Sequence, residues 1–151
     1  MKHKKILVLV GHPDDEIIGC GGTLAKHAQQ KNNIQCVFYC DGESSRKNFS
    51  TQNILQRKVC ALKTSKLLKI TKPIFLDLKD NQLDDYPLLE IIKKTEKIIY
   101  KYKPDIIYTH FNGDLNIDHQ IISRAVVTAA RPVLKKNIKK IYMMEILSSS
   151  N

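Results

Sequence analysis

Short apolar runs alternate along the chain with longer segments in which apolar residues recur every three or four positions. Residues 6–10 are apolar throughout, as in strands buried on both faces of a parallel sheet, and predict a central first strand. Residues 11–16 cannot continue that strand, and residues 17–31 have the spacing of a helix with one apolar side. A second strand is predicted over 34–40, and a polar loop begins at Asp41.

The same alternation continues to the end of the chain. The remaining predicted elements are helices over 51–68, 88–102 and 118–133 and strands over 73–78, 105–109 and 140–146. A polar loop over 80–87 precedes the third helix, and Pro104 ends that helix before the fourth strand. Regular alternation of this kind predicts a single-domain α/β fold, a Rossmann-like open, mostly parallel sheet with helices on both faces.

Sheets of this type bind their ligands at the carboxyl ends of the strands. Four loops of this chain are predicted to lie at that edge, and their polar side chains are the first candidates for a functional site. The four loops cover residues 12–16, 41–46, 77–85 and 110–119.

The composition fits one compact domain. The 151 residues are 42% hydrophobic, which allows a sizeable core but not two ordinary domains. No apolar run approaches the roughly 20 residues of a membrane-spanning helix. The basic start of the chain is followed by too short an apolar run for a signal peptide, so we expect a cytoplasmic protein. The four cysteines lack Cys-x-x-Cys spacing, which indicates reduced and mostly buried thiols.

The charge is strongly positive. A formal net charge of +10 and a pI near 9.5 favour polyanions in general. The lysine runs at 93–94 and 135–140 are typical of solvated faces. The sequence lacks a basic stripe with interleaved aromatic residues, so we expect no nucleic-acid partner. Gly19, Gly21 and Gly22 are predicted to permit close approach of the first helix to its neighbours. An alternative function is a non-catalytic phosphate- or nucleotide-binding module, in which residues 19–23 and the positive charge would hold an anion. Those glycines lie inside a predicted helix, however, whereas a dinucleotide fingerprint lies between strand and helix.

The first cluster of candidate functional residues follows the first strand. His12, Asp14, Asp15 and Glu16 bring an imidazole and three carboxylates close together in sequence. Zinc accepts nitrogen and oxygen ligands, and a bound cation would offset the repulsion between adjacent carboxylates. The alternative is a helix N-terminus, where acidic residues are favoured and Pro13 suits the first turn. This cluster alone does not separate the two interpretations.

A second cluster favours the metal site. Residues 110–119 follow the fourth strand and supply His110, Asp114, Asp118 and His119 at the same predicted edge. Two clusters of histidine and aspartate at one edge can converge on one ion. Catalytic zinc is typically held by three protein ligands, and the remaining position takes a water whose pKa the metal lowers. The two clusters together therefore predict a metal site.

Both clusters resemble motifs of the PIG-L/LmbE-like N-deacetylases, which hydrolyse the acetamide of N-acetylglucosamine-type substrates with a zinc ion. The N-terminal signature of that family, (A/G)-H-P-D-D-E after an apolar strand, is present as residues 11–16, GHPDDE. The similarity continues through 19–23 (GCGGT), 41–43 (DGE) and 114–119 (DLNIDH), so it covers essentially the whole chain.

The resemblance implies a role for each matching position. His12, Asp15 and His119 would ligate zinc, with another divalent ion such as Fe²⁺ as an alternative, and Asp14 would be the general base. The resemblance also places at the site three further catalytic residues, His110, Asn116 and Asp118, and three substrate-binding residues, Glu43, Arg46 and Asp114.

Three features depart from the family pattern. Many members have an oxyanion-stabilising histidine three residues before the last ligand, where this chain has Asn116. Asparagine can donate a hydrogen bond but cannot carry a proton, and His110 is a candidate substitute. A glutamate often follows the helix arginine by three positions, but Cys60 follows Arg57 here, and we assign Arg57 no function. Members usually run considerably further, so the deacetylase domain over 1–151 is expected to be truncated at its C-terminus.

The implied function is removal of an acetyl group from the amine of an N-acetylated sugar or sugar conjugate, in polysaccharide biosynthesis. The segment 110–119 is similar to a subgroup that often acts on cell-surface polysaccharide sugars or nucleotide-sugars. The expected partner is a small N-acetyl sugar, a nucleotide-sugar or a glycolipid. A homo-oligomer stays an open alternative.

Overall fold

The computed structural model describes residues 3–132 and 138–147. Strands and helices alternate in the predicted order. The elements are β1 (Lys5–Val10), α1 (Asp15–Gln29), β2 (Asn33–Cys40), α2 (Thr51–Leu67), β3 (Ile74–Leu78), α3 (Leu88–Tyr102), β4 (Ile106–His110), α4 (Ile117–Ala129) and β5 (Lys140–Met144). None of the helices in these ranges has the length and apolar character needed to cross a membrane.

The five strands form one parallel sheet in the order β3-β2-β1-β4-β5. At its centre, Ile6 of β1 pairs with Ile34 of β2 on one side and with Ile106 of β4 on the other. This position explains the continuous apolar run, because residues 6–10 are completely buried. The predicted Rossmann-like α/β fold and its central first strand are confirmed.

Successive residues of β1 belong to two separate hydrophobic cores. Leu7 faces the core that α3 and α4 cover through residues such as Ile91 and Ile122. Val8 faces the opposite core, which α1 covers through Leu24. Burial of each such aliphatic side chain contributes about 1.5–3 kcal/mol. Both faces of the sheet therefore need their helices, and the predicted placement of helices on both faces is confirmed.

Helix α1 begins inside the polar motif rather than after it. The sequence predicts a start at residue 17, but Asp15 already belongs to the first turn. The N–H groups of Ile17 and Ile18 both donate to the carbonyl of Asp14, which fixes that turn. The acidic residues are therefore held at a defined helix terminus.

The C-terminal elements end earlier than predicted. α4 ends at Ala129 rather than at residue 133, and Pro132 accounts for this because a residue before proline avoids helical geometry. Residue 133 itself lies outside the described residues. The strand predicted over 140–146 ends at Met144.

The predicted polar loop over 80–87 contains a short 3₁₀ helix, Leu83–Asp85. Leu83 is fully buried in the same core as Leu7. No sequence signal predicted this core position, because one isolated leucine produces no periodic pattern. The turn also directs the backbone N–H of Leu83 toward the carboxylate of Asp118, 3.1 Å away.

The structure also tests the predictions for glycine and cysteine. A Cβ on Gly19 would lie 2.7 Å from Sδ of Met144, so close approach is confirmed there. A Cβ on Gly21 would meet only side-chain atoms of its own helix, and one on Gly22 would meet nothing within 4 Å, so the expectation was wrong for these two. All four cysteines are free, and all except Cys60 are buried, as predicted.

Candidate active site and metal centre

A cleft of about 300 Å³ lies at the carboxyl ends of the strands. The loops that follow β1, β2, β3 and β4 all contribute to it, together with α1, α2 and α4. The two clusters found in the sequence meet there. The lining residues are His12, Asp14, Asp15, Ile18, Gly42, Ser45, Arg46, Arg57, Asp80, Asn81, Asn116, His119 and Ile146.

Three buried donor atoms form a nearly equilateral triangle in this cleft. Nδ1 of His12 lies 3.3 Å from Oδ2 of Asp15, and Nε2 of His119 lies 3.2 Å from each of these atoms. Tetrahedral zinc with bonds of roughly 2.0–2.1 Å needs ligand atoms about 3.3 Å apart. The donor types, two imidazole nitrogens and one carboxylate oxygen, are also ligands that zinc accepts. The three residues therefore fit a divalent metal ion.

A tight turn after β1 shapes one side of the triangle. The N–H groups of Asp14 and Asp15 both donate to the carbonyl of His12, and Oδ2 of Asp15 accepts the N–H of His12 at 2.8 Å. Gly11 leaves room for the third donor, because a Cβ there would lie 3.1 Å from Cδ2 of His119. The short sequence 11–15 thus places His12 and Asp15 side by side.

His119 enters the triangle from the first turn of α4. Asn116 caps that helix, and its Oδ1 accepts the N–H groups of Asp118 and His119 at 2.9 and 3.4 Å. Nδ1 of His119 lies 3.0 Å from Oδ2 of Asp114. A carboxylate on one ring nitrogen fixes the orientation of an imidazole, so Nε2 is the nitrogen directed to the centre.

His12 is oriented by two more carboxylates. Its Nε2 lies 3.0 Å from Oδ2 of Asp118 and 3.0 Å from Oδ1 of Asp80. Asp118 also accepts the backbone N–H groups of Asn81 at 2.7 Å and Leu83 at 3.1 Å. These contacts hold the pKa of the Asp118 carboxyl below its usual value although burial, the largest single influence, would raise it.

The centre concentrates buried negative charge. Burial alone would raise the pKa of the Asp15 carboxyl, but its imidazole neighbours, which include His119 and His12, hold it well below its usual value. Burial alone would lower the pKa of His12, but its carboxylate neighbours hold it well above the usual range. Four buried carboxylates contact the two histidines of the triangle. Their negative charge exceeds the positive charge that two imidazoles can supply, and a bound cation would compensate the excess. The four carboxylates are those of Asp15, Asp80, Asp114 and Asp118.

The Asp14 carboxylate lies in the cleft beside the triangle. Its side chain is 45% exposed, and its Oδ2 accepts a hydrogen bond from Nη1 of Arg57 at 2.7 Å. Asp14 is the N-cap residue of α1, yet its side chain makes no capping hydrogen bond. The helix-capping interpretation of this residue is therefore wrong.

A comparison with protein-family models identifies the family of this chain. The model of the family described as PIG-L, GlcNAc-PI de-N-acetylase, matches residues 7–130. The chain belongs to the PIG-L family. The matched range contains every residue of the donor triangle and the Asp14–Arg57 pair. The resemblance proposed from the sequence is thereby confirmed.

Two curated relatives and one solved structure extend the PIG-L comparison. The chain is 31% identical over 137 residues to the uncharacterized deacetylase YaiS of Escherichia coli (strain K12), covering 87% of this chain and 71% of that protein. It is 32% identical over 137 residues to the probable N-acetyl-alpha-D-glucosaminyl L-malate deacetylase 2 of Bacillus subtilis (strain 168), covering 82% and 59%. The N,N'-diacetylchitobiose deacetylase of Pyrococcus horikoshii superposes with a TM-score of 0.74 at 26% identity, covering 83% and 49%. The chain thus spans between about half and seven tenths of these proteins.

The PIG-L domain contains two site residues that the sequence analysis missed. Arg57 binds Asp14 through Nη1 and donates to Oε1 of Glu43 through Nε. The missing family glutamate at position 60 led us to assign Arg57 no function, and the structure contradicts that inference. Asp80 contacts His12, and although its loop was placed at this edge, no motif singled it out.

The residues predicted to bind substrate lie in different surroundings. Arg46 is on the cleft surface, with its side chain 61% exposed, and its Nε lies 3.4 Å from Oε2 of Glu43. Glu43 is buried between Arg46 and Arg57, so it holds these arginines. Asp114 has no exposed surface and contacts His119 from behind, so its predicted contact with substrate was wrong.

His110 and Asp118 also differ from the prediction. Both are completely buried, and neither lines the cleft. His110 lies under His119 and its Nε2 accepts the N–H of Gly11 at 2.8 Å, so its ring is directed away from the cleft where an oxyanion donor would be needed. Asp118 contacts Nε2 of His12 through its Oδ2, 3.0 Å away.

The phosphate-binding alternative has no support in this fold. Gly19, Gly21 and Gly22 lie within α1, not at the turn between β1 and α1. None of the three lines the cleft at the strand ends.

Proposed function

We propose that this protein is a metal-dependent deacetylase that hydrolyses the acetamide of an N-acetylated amino sugar, with His12, Asp15 and His119 holding zinc. The donor triangle carries this proposal, because its edges and donor types suit tetrahedral zinc and it borders an open cleft. The deacetylase relatives supply further support. Fe²⁺ is the alternative ion, since the same nitrogen and oxygen donors accept it.

When bound, the ion would supply Lewis-acid polarisation of the acetyl carbonyl and lower the pKa of a coordinated water. Asp118 and Asp80 hold Nε2 of His12, and Asp114 holds Nδ1 of His119. These contacts direct Nδ1 of His12 and Nε2 of His119 toward Asp15. They raise the basicity of both imidazoles as ligands.

Asp14 acts as the general base in this proposal. Its carboxylate takes the proton of the attacking water and returns it to the amine that leaves, so the group ends in its starting state. Arg57 keeps the carboxylate aligned through the 2.7 Å charge-assisted hydrogen bond. Glu43 in turn fixes Arg57, which links the base to the loop after β2.

Asn116 is the proposed donor to the developing oxyanion. Its Oδ1 is held by two N–H groups of α4, so the side-chain NH₂ is the part that can donate to substrate. One preorganised donor of this kind contributes about 2.7–4 kcal/mol to transition-state stability. Arg46, exposed on the cleft surface, is positioned to bind the hydroxyl or anionic groups of a sugar.

The cleft size favours a small substrate. Its volume of about 300 Å³ is at the lower end of the range typical of ligand pockets, roughly 300–1,000 Å³. A single N-acetylhexosamine unit is therefore the proposed occupant, and a nucleotide or lipid portion would extend beyond it. Action in polysaccharide biosynthesis and a cytoplasmic location are parts of the same proposal.

Metal content and acetate release test the function. Purified protein is dialysed with zinc, its bound metal is measured by mass spectrometry, and acetate release is followed on N-acetylglucosamine, a UDP-linked form and a lipid-linked form. We expect about one zinc per chain and acetate from at least one substrate. Absence of bound zinc, or of acetate from all three, contradicts the proposal. Thr109→Val is a control substitution near the site and should bind zinc and release acetate like the wild type, because this buried hydroxyl has no partner among the described residues.

A further inference from the structure

His110 contacts two separate segments that build the donor triangle. Its side chain has no exposed surface. Its Nε2 accepts the backbone N–H of Gly11, the residue before His12, at 2.8 Å. Its ring stacks on His119 with centroids 3.7 Å apart and planes 6° apart. One imidazole therefore supports both histidines of the triangle, His119 by direct stacking and His12 through the backbone of Gly11.

The hydrogen bond to Gly11 continues the sheet where the backbone ladder ends. The last residue pair between β1 and β4 is Leu9 with Thr109. Beyond that pair, the side chain of His110 supplies the acceptor for Gly11. On the other side, the carbonyl of Gly11 accepts the N–H of Cys40 at 2.8 Å. Gly11 is thus held from both sides just before the chain turns into His12.

The contact also defines the tautomer of His110. A backbone N–H can only donate, so Nε2 must present its lone pair to Gly11 and the proton of the neutral ring lies on Nδ1. Oδ2 of Asp15 lies 3.4 Å from the same Nε2 and therefore receives no proton from this ring. Nδ1 is buried without a hydrogen-bond partner within 3–132 and 138–147. A phenyl ring would stack on His119 without leaving such a nitrogen unpartnered, so packing alone does not explain an imidazole here. Its acceptor nitrogen does.

We propose that His110 is a positioning residue: it holds the backbone of Gly11 and the ring plane of His119, and thereby keeps Nδ1 of His12 and Nε2 of His119 at their 3.2 Å separation. The inference rests on the proposed function only in treating His12 and His119 as metal ligands. Loss of a group that orients a metal ligand typically reduces metal affinity about 10- to 100-fold. The same reduction is expected when the acceptor of His110 is removed.

A direct test is the N–H···N hydrogen bond itself. In uniformly ¹⁵N-labelled protein, we expect a scalar coupling across the bond between the amide nitrogen of Gly11 and Nε2 of His110, in metal-free and zinc-loaded samples alike. We also expect the histidine correlation spectrum to show the proton on Nδ1. A proton on Nε2 or the absence of the coupling overturns the proposal.

Zinc affinity, measured by competition with a chromophoric chelator, tests the consequence. His110→Phe keeps a stacking ring but lacks the acceptor, and we expect zinc to bind about 10- to 100-fold more weakly. His110→Gln places an oxygen near the position of Nε2, and we expect it to recover most of that loss. Thr109→Val, on the preceding residue, is the control and should bind zinc like the wild type.

The outcomes separate this inference from the proposed function. If the wild type binds no zinc, the proposed function fails. If the wild type binds zinc and His110→Phe binds it equally well, the positioning role fails and the function stands. Cobalt substitution gives a second measurement, since the ligand-field spectrum should change in His110→Phe but not in Thr109→Val. If His110→Phe does not fold, the coupling experiment and His110→Gln decide the question.

Discussion

Nη1 of Arg57 donates a 2.7 Å hydrogen bond to Oδ2 of Asp14, which joins helix α2 to the motif that follows β1. Nε of the same guanidinium donates to Glu43. The proposed base is therefore aligned by a residue far from it in the sequence. The pair also lies on the surface of the cleft, where a substrate would meet it.

Arg57→Gln should reduce hydrolysis without removing the metal. The substitution frees the Asp14 carboxylate from its fixed orientation, and misplacement of a catalytic group by about 1 Å can cost roughly 10²-fold in rate. Zinc content should stay at the wild-type value, because Arg57 contacts none of the three donors. The measurements are the kcat for acetate release and metal stoichiometry. Lys58→Gln is the matched control, since Lys58 pairs with Asp77 away from the cleft. Equal rates in Arg57→Gln and wild type would contradict the alignment role.

Asp118→Asn should weaken zinc binding and lower stability together. In the wild type, Oδ2 of Asp118 contacts His12 and accepts the N–H of Asn81, while Oδ1 accepts the N–H of Leu83. An amide NH₂ in either position would face an N–H donor. We expect about 10- to 100-fold weaker zinc affinity and a loss of about 1–3 kcal/mol in the free energy of unfolding of the metal-free protein. Chelator competition and urea denaturation measure the two quantities. Wild-type values for both would show that His12 does not depend on Asp118.

Two glycines of α1 should respond in opposite directions to alanine. A Cβ on Gly22 meets nothing within 4 Å, so Gly22→Ala should stabilise the fold by up to about 1 kcal/mol through helix propensity. A Cβ on Gly19 would lie 2.7 Å from Met144 and 2.9 Å from Ile146, so Gly19→Ala should destabilise it by about 1–3 kcal/mol through overpacking. Thermal and urea unfolding compare the variants. Equal stabilities would mean that α1 does not pack against the residues at the end of β5 as described.

The fold could be predicted because its strongest signals are local. Residues 6–10 are apolar without interruption, a pattern typical of a strand covered on both faces, and all five are buried. Placing His12 and His119 at one edge follows from the rule that parallel strands end at the same side of a sheet. The structure brings the two together with 3.2 Å between their donor nitrogens.

The parts that failed depend on orientations that a sequence does not encode locally. Arg57 reaches Asp14 only because α2 lies on the face of the sheet that brings it over the loop after β1. His110 is the last residue of β4, and no spacing rule tells whether its ring enters the cleft or lies beneath His119. Asp114 belongs to the same motif as His119, but it supports that residue from behind instead of facing a substrate.

Asp14→Asn tests the mechanism most directly, because it removes a base and leaves the three donors in place. An amide of the same shape cannot accept the proton of the attacking water, and general-base catalysis typically contributes about 10²- to 10⁴-fold. Arg57 can still donate to the amide oxygen, so the side chain should keep its position. Zinc stoichiometry and the rate of acetate release are to be measured in parallel on the wild type and the variant. The account predicts unchanged zinc content with a rate at least about 10²-fold lower; equal rates in the two proteins would contradict it.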